Sequence, residues 1–154
     1  MGLAFDSARA IFTPPTSAAT RSRSSPRTGP TSEFSRIVIF RPTGLAFDAA
    51  GNLYVANIGN TIERFSPIGT PLIPFTSLFL NNPEGLAFDS SGNLYVANNG
   101  SDTIQVFPRA GTDLGSLPTV GLSGPIGLAF DGDGNLYVVN NLTSTIDADH
   151  TRWD

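Results

Sequence analysis

Asp131-Gly132-Asp133-Gly134-Asn135 sets side-chain oxygens at alternate positions around two glycines, the spacing of the first half of a calcium-binding loop. Asp131, Asp133 and Asn135 are therefore candidate metal ligands, and calcium or another divalent cation is the one cofactor the residues suggest. The later ligands of such a loop, including a distal Glu, are missing, and related turns recur at Asp48 to Asn52 and Asp89 to Asn93. A glycine-rich version of one repeated turn is the plainer reading. Glu84 breaks the pattern of the chain, standing where Thr43 and Ile126 stand in sister units, which makes it a candidate binding residue; a single Glu at such a position is ordinarily a solvated side chain. The only His is His150 and there is no Cys, so no nucleophile and base can be paired and no catalytic residue is assigned.

The elements that must position these groups are repeated. G-L-A-F-D-x-x-G-N-L-Y-V occurs at Gly44 to Val55, Gly85 to Val96 and Gly127 to Val138, and its first half at Gly2 to Asp6. The leading glycines are 42, 41 and 42 residues apart, and a period of that size built from short strands is the mark of propeller blades. In the best preserved unit, Leu45 to Phe47 reads as a first strand, Asp48 to Asn52 as a tight turn and Leu53 to Ala56 as a second strand. Thr61 to Phe65 reads as a third strand, and a weaker fourth segment lies around Leu72, Ile73 and Phe75. Pro71 and Pro74 place that fourth segment on an edge, because proline cannot donate to a ladder. Both faces of the early strands are apolar, so each sheet is expected to be sandwiched between neighbours. Phe88→Ala is then expected to cost about 3–5 kcal/mol. The fold class expected is all-β, an incomplete β-propeller of about three to four four-stranded antiparallel blades, divided into units 1–41, 42–82, 83–124 and 125–154.

Residues 8–36 interrupt the pattern with a run rich in Arg, Ser, Thr and Pro, yet the unit length is kept. A compensated frame slip explains both. If the third base of each codon from Arg9 is taken with the first two of the next, synonymous choice being free, the run reads GNLYAANFGSNTIEVFSPNGTDLGVFA, which is a blade. As written, its composition is that of a disordered segment. After Ile146, Asp147 to Asp154 is expected to replace the rest of the third strand. The Met set directly on a repeat, without a charged and apolar leader, reads as a start internal to a longer ancestor. The compartment stays open, an extracytoplasmic ancestor being one reading.

Charge separates the run from the rest. All nine basic residues are Arg; outside 8–36 four of them face twelve acidic residues, whereas the run holds five with one Glu. Acidic blades disfavour a polyanion partner, so nucleic acid is not expected, and no apolar run is long enough for a membrane span. Open blade faces and edges make self-association a possible property.

P-x-G-L-A-F-D-x-x-G-N-L-Y-V-A-N-x-G-x-x-T-I-x-x-F at Pro42 to Phe65, with a close copy at Pro83 to Val106, resembles the NHL-type repeat of β-propellers. It is also similar to the six-bladed group that includes gluconolactonase/regucalcin-like lactonases and virginiamycin B lyase-like proteins. The Asn-His pair that gives the NHL repeat its name is replaced by Asn60-Thr61 and Asp102-Thr103. The resemblance implies fold more strongly than activity, because such folds host binding modules, sensors, scaffolds and enzymes. Lactonase-like members hold a divalent metal at the channel mouth through carboxylate and Asn side chains, which makes Asn57, Asn98 and Asn140 candidate ligands. Their recurrence in every unit favours a structural role, an Asn bonding the turn that follows, since a catalytic site draws a different residue from each blade. The function expected is a non-catalytic binding or scaffold surface for a protein or carbohydrate ligand. The alternatives are a remnant of a metal-dependent lactonase- or lyase-like enzyme and a translated fragment with no selected function.

Overall fold

The computed structural model describes residues 41–75, 78–109, 115–117 and 121–149. The Gly2 to Asp6 motif, the run 8–36 with its shifted-frame reading, and His150 with the residues after it lie outside the described residues. Among those described there is no helix, and the strands form three antiparallel sheets. The first sheet is β1 (Pro42–Phe47), β2 (Leu53–Asn57) and β3 (Thr61–Phe65) in chain order. The second is β4 (Pro83–Phe88), β5 (Leu94–Asn98), β6 (Thr103–Phe107) and β7 (Gly115–Ser116), and the third is β8 (Pro125–Phe130), β9 (Leu136–Asn140) and β10 (Thr145–Asp149).

The repeated turn explains why first and second strands pair in one register. Asp48 accepts the backbone N–H of Ala50 and Asn52 at 2.9 and 2.8 Å and the Asn52 side-chain amide at 2.8 Å. Gly51 closes the turn at φ +78°, as Gly92 and Gly134 do at +85° and +88°, a region open to glycine without steric cost. With the turn fixed, Phe47 falls opposite Leu53, Phe88 opposite Leu94 and Phe130 opposite Leu136.

Three details differ from the sequence reading. The first strands begin at Pro42, Pro83 and Pro125, before Leu45 and its equivalents, and irregular pairing follows each proline; a strand's first residue need not donate to the ladder. The fourth segment of the first sheet is not a regular strand. A single bridge joins Phe65 to Pro71, and the N–H groups of Leu72 and Phe75 donate to the carbonyls of Arg64 and Ile62, so the prolines leave the ladder discontinuous while the segment keeps its outer place. Thirdly, the third strand of the last unit does not stop at Ile146. Thr145 to Asp149 pairs in full with β9, ending at Asp149 opposite Leu136, because ladder bonds come from the backbone and do not depend on the altered side chains.

Alternation along the strands builds two separate cores. Ala46, Tyr54, Ala56 and Ile62 from the first sheet share one core with Leu86, Leu94, Val96 and Phe107 from the second. Tyr95, Ala97, Ile104 and Val106, on the other side of the second sheet, share a core with Leu136 and Val138 from the third. The second sheet is thus sandwiched, as apolar character on both faces requires. Edge-to-face rings cross both junctions, Tyr54 on Phe88 at 4.9 Å and Tyr95 on Phe130 at 4.9 Å. Phe88 itself is only half-buried against its core.

First strands approach most closely of all. A side chain at Gly44 would fall onto the Glu84 carbonyl, and one at Gly85 onto the Ile126 carbonyl and the Gly127 backbone. Thr43 Oγ1 adds a bond between sheets, donating to Pro83 O at 2.7 Å. Gly44→Ala is expected to force β1 and β4 apart and destabilise the chain by about 2–3 kcal/mol. Gly59→Ala, where an added Cβ meets nothing within 4 Å, should change the unfolding midpoint little. Equal midpoints for the two variants in parallel urea melts would refute the close stacking.

Candidate binding surface at one end of the blades

Asn57, Asn98 and Asn140 end the second strands and are buried. Asn98 Oδ1 accepts the Asn81 N–H at 3.1 Å, and its Nδ2 donates to Phe79 O at 3.0 Å and to Thr103 Oγ1 at 3.5 Å. Asn140 repeats the arrangement: Oδ1 accepts the Ser123 N–H at 3.1 Å, while Nδ2 reaches Thr145 Oγ1 at 3.5 Å and Asp147 Oδ2 at 2.7 Å. Asn57 Nδ2 donates to Thr61 Oγ1 at 3.2 Å; the residue equivalent to Asn81 and Ser123 would be Phe40, outside the described residues. In the second and third sheets the amide ties the turn that follows to the connector that precedes the same sheet. Its acceptor is committed to backbone, and a buried polar group so satisfied is structurally required.

A second set of latches went unread in the sequence. Asn60 Oδ1 accepts the Asn82 N–H at 2.8 Å, and Asp102 Oδ1 accepts the Gly124 N–H at 2.6 Å. Each binds the second-to-third-strand turn of one sheet to the start of the next. Asn60, Asp102 and Ser144 have φ of +58°, +54° and +55°, values that Asn and Asp tolerate best among residues with a side chain. The recurrence of small polar residues at this position was the available signal.

These latches converge on the end where second strands finish and first strands begin. The same end exposes Ile58, Leu78, Phe79 and Leu142, with Phe79 64% and Leu142 73% accessible. Phe79 has φ +59°, an outlier for an aromatic residue, and its carbonyl is held by Asn98. Buried Asn98 thereby presents an exposed ring on a backbone that would not choose that conformation alone.

The predicted metal ligands lie elsewhere. Asp131, Asp133 and Asn135 precede β9, whereas Asn140 ends it, roughly 15 Å away along a five-residue strand. Asp131 Oδ1 accepts the N–H groups of Asp133 and Asn135 at 3.0 and 2.9 Å, and Oδ2 accepts Asn135 Nδ2 at 2.8 Å and Tyr137 Oη at 3.1 Å. Both carboxylate oxygens are engaged by donors. The Asn135 side-chain and backbone bonds, followed by that from Tyr137, lower the Asp131 pKa to about 2, and the Asp131 carboxylate raises that of Tyr137. Because the folded pKa is depressed, the turn's contribution is present above about pH 4 and is lost as pH falls towards 2. An NMR titration should place the Asp131 carboxyl midpoint near 2; a midpoint at the ordinary value would mean that the turn is open in solution. Glu84 is half-buried in the irregular start of β4, on a different strand from the Asn residues. Among the described residues, no three His, Cys, Asp or Glu side chains cluster in a way that could hold a metal.

Residues 80–107, from the connector through β6, match the NHL repeat family model. The chain carries an NHL repeat. Solved β-propellers are similar to the chain: a chain of a nidogen/laminin complex is 32% identical with a TM-score of 0.64, over 71% of this chain and 44% of that one. A gluconolactonase from Xanthomonas campestris is 26% identical with a TM-score of 0.58, over 67% of this chain and 36% of that one. Virginiamycin B lyase from Staphylococcus aureus, at 16% identity and a TM-score of 0.54 over 70% and 40% of the two chains, shares the fold. The three sheets are blades of a partial β-propeller, of which residues 80–107 match the NHL repeat, and the chain spans less than half the length of these relatives. No curated protein matches the sequence. No helix among the described residues is long and apolar enough to cross a membrane.

Proposed function

We propose that this NHL-repeat chain is a binding module that engages a protein through the latched end of its blades. The observation that carries the reading is the exposed Phe79, held at positive φ by buried Asn98 and accompanied at that end by Leu78, Ile58 and Leu142. Exposed aromatic and aliphatic groups on a rigid scaffold suit the apolar centre of a protein interface. The likeness to a chain from a nidogen/laminin complex supports a protein ligand over a carbohydrate. The test is to probe protein and glycan arrays with the wild type and with Phe79→Ser. Protein binding that the variant loses supports the reading; binding to glycans alone, or equal binding by both forms, rejects it.

An enzymatic reading draws on the gluconolactonase likeness. It requires lactone turnover with an added divalent metal, and calcium binding at Asp131, Asp133 and Asn135 requires heat in a calorimetric titration. The engaged oxygens of Asp131 and the buried, bonded amides of Asn98 and Asn140 favour the binding reading over both. The reading of a fragment without selected function rests on residues 8–36, and resequencing the DNA across those codons tests the frame slip directly.

A further inference from the structure

The second unit carries a side-chain pair that its sisters lack. In each unit the N–H that opens the turn between second and third strands donates to the carbonyl of the residue before the first-strand proline: Ile58 to Arg41 at 3.3 Å, Asn99 to Asn82 at 3.1 Å and Asn141 to Gly124 at 2.9 Å. Backbone alone therefore closes this junction. In the second unit the side chains pair as well, Asn82 Nδ2 donating to Asn99 Oδ1 at 3.3 Å. Neither Arg41 with Ile58 nor Gly124 with Asn141 can form such a bond, since isoleucine has no polar atom and glycine no side chain. The pair is an off-pattern feature that the repeat does not require.

The bond from Asn82 fixes which way the Asn99 amide points. Its Nδ2 has no acceptor among the described residues and reaches over Gly124 beside Leu142: a methyl added at Gly124 would lie 3.3 Å from Asn99 Nδ2 and 2.8 Å from Leu142 Cγ. The residue before Asn99 is Asn98, whose amide holds the Phe79 carbonyl at 3.0 Å. The seat is rigid, because Gly100 N–H donates to Asn81 O at 3.1 Å and Asn81 N–H to Asn98 Oδ1 at 3.1 Å. Unused N–H donors are thus held in the patch that exposes Phe79 and Leu142.

We infer that Asn99 is a specificity-determining residue of this end, and that the partner it selects is an extended apolar segment of a protein chain. A backbone carbonyl of that segment accepts from Asn99 Nδ2 while its side chains cover Phe79 and Leu142. The inference rests on the proposed binding module and names what it takes. In an extended chain apolar side chains alternate about backbone carbonyls, which suits a donor set among apolar groups. A carbonyl fits better than a carboxylate, because exposed Asp102 in the same turn would repel a second negative charge.

The experiment selects random linear peptides, displayed on phage, on the wild-type full chain and counter-selects them on Phe79→Ser. A recovered peptide is then titrated against the wild type, Asn99→Ala and Asn99→Asp. Asn99→Asp keeps the acceptor for Asn82 Nδ2 and so should fold, with circular dichroism as the check. Binding should weaken roughly 5- to 10-fold in Asn99→Ala, and at least as much in Asn99→Asp, which offers the carbonyl an acceptor in place of a donor. Replacing peptide amides one at a time by esters, whose carbonyls are poorer acceptors, should reveal one position at which the loss seen with the wild type is absent in Asn99→Ala. A purely structural Asn99 would show no such coupling. Phe79-dependent peptides that bind both Asn99 variants as tightly as the wild type, or ester losses that are equal in both proteins at every position, would overturn the role of Asn99 and leave the binding module standing. Failure to recover any Phe79-dependent peptide would remove both.

Discussion

Phe107→Ala is expected to lower the unfolding free energy by about 3–5 kcal/mol, the range for deleting a buried ring. Phe107 is 1% accessible at the end of β6, opposite Leu94, and belongs to the core between the first two sheets. Its ring also meets Phe75 at 5.8 Å, and Phe75 meets Tyr54 at 5.3 Å, so one side chain fastens both the junction and the irregular fourth segment of the first sheet. Phe88, only half-buried, should cost about 2 kcal/mol on the same change, less than its place in the repeat suggested. Urea unfolding followed by circular dichroism gives both values. A larger loss for Phe88→Ala than for Phe107→Ala would mean that the sheets meet in another register.

Asn98→Ala is expected to cost about 2–4 kcal/mol by a different mechanism. Truncation leaves the part-buried Asn81 N–H and Phe79 carbonyl without the partner that satisfies them and empties the buried site of the amide, a loss of about 1–2 kcal/mol for each bond. The effect should be local as well as global. Hydrogen exchange at the Asn81 amide should accelerate in the variant while the amides of β5 keep their relative protection, and release of Phe79 from its positive φ should weaken any Phe79-dependent binding. Unchanged exchange at Asn81 would remove the Asn98 latch from the account. Asn98→Asp keeps the acceptor but sets a carboxylate against the Phe79 carbonyl, so it should not restore stability.

The blades were legible because their signals are local and repeated. Asp48, Gly51 and Asn52 prescribe one turn, the turn prescribes one register, and period-two alternation then assigns Tyr54 and Val55 to opposite faces. The apolar character of both faces required a sandwich, which the second sheet realises. The connector partners of the recurrent Asn residues are not local. A bond from Asn98 to Asn81 spans 17 residues, and nothing in the sequence near Asn98 announces it. The fourth segment was placed correctly at the edge, but Pro71 and Pro74 break its ladder more thoroughly than edge placement alone requires. In the last unit the sequence departs from the repeat after Ile146, yet the backbone of Asp147 to Asp149 still pairs with β9.

The sequence by itself determined that this chain is a tandem array of β-propeller blades, which turns join its strands and which residues alternate towards a core. Those properties follow from local φ preferences and from a period of two, both written in neighbouring residues. Only the tertiary structure decided how deeply each ring is buried, which amide latches which connector, and that Phe79 is held outward at the same end as Ile58 and Leu142. These depend on how successive sheets stack, a relation between residues some 20 to 40 positions apart that no local pattern encodes.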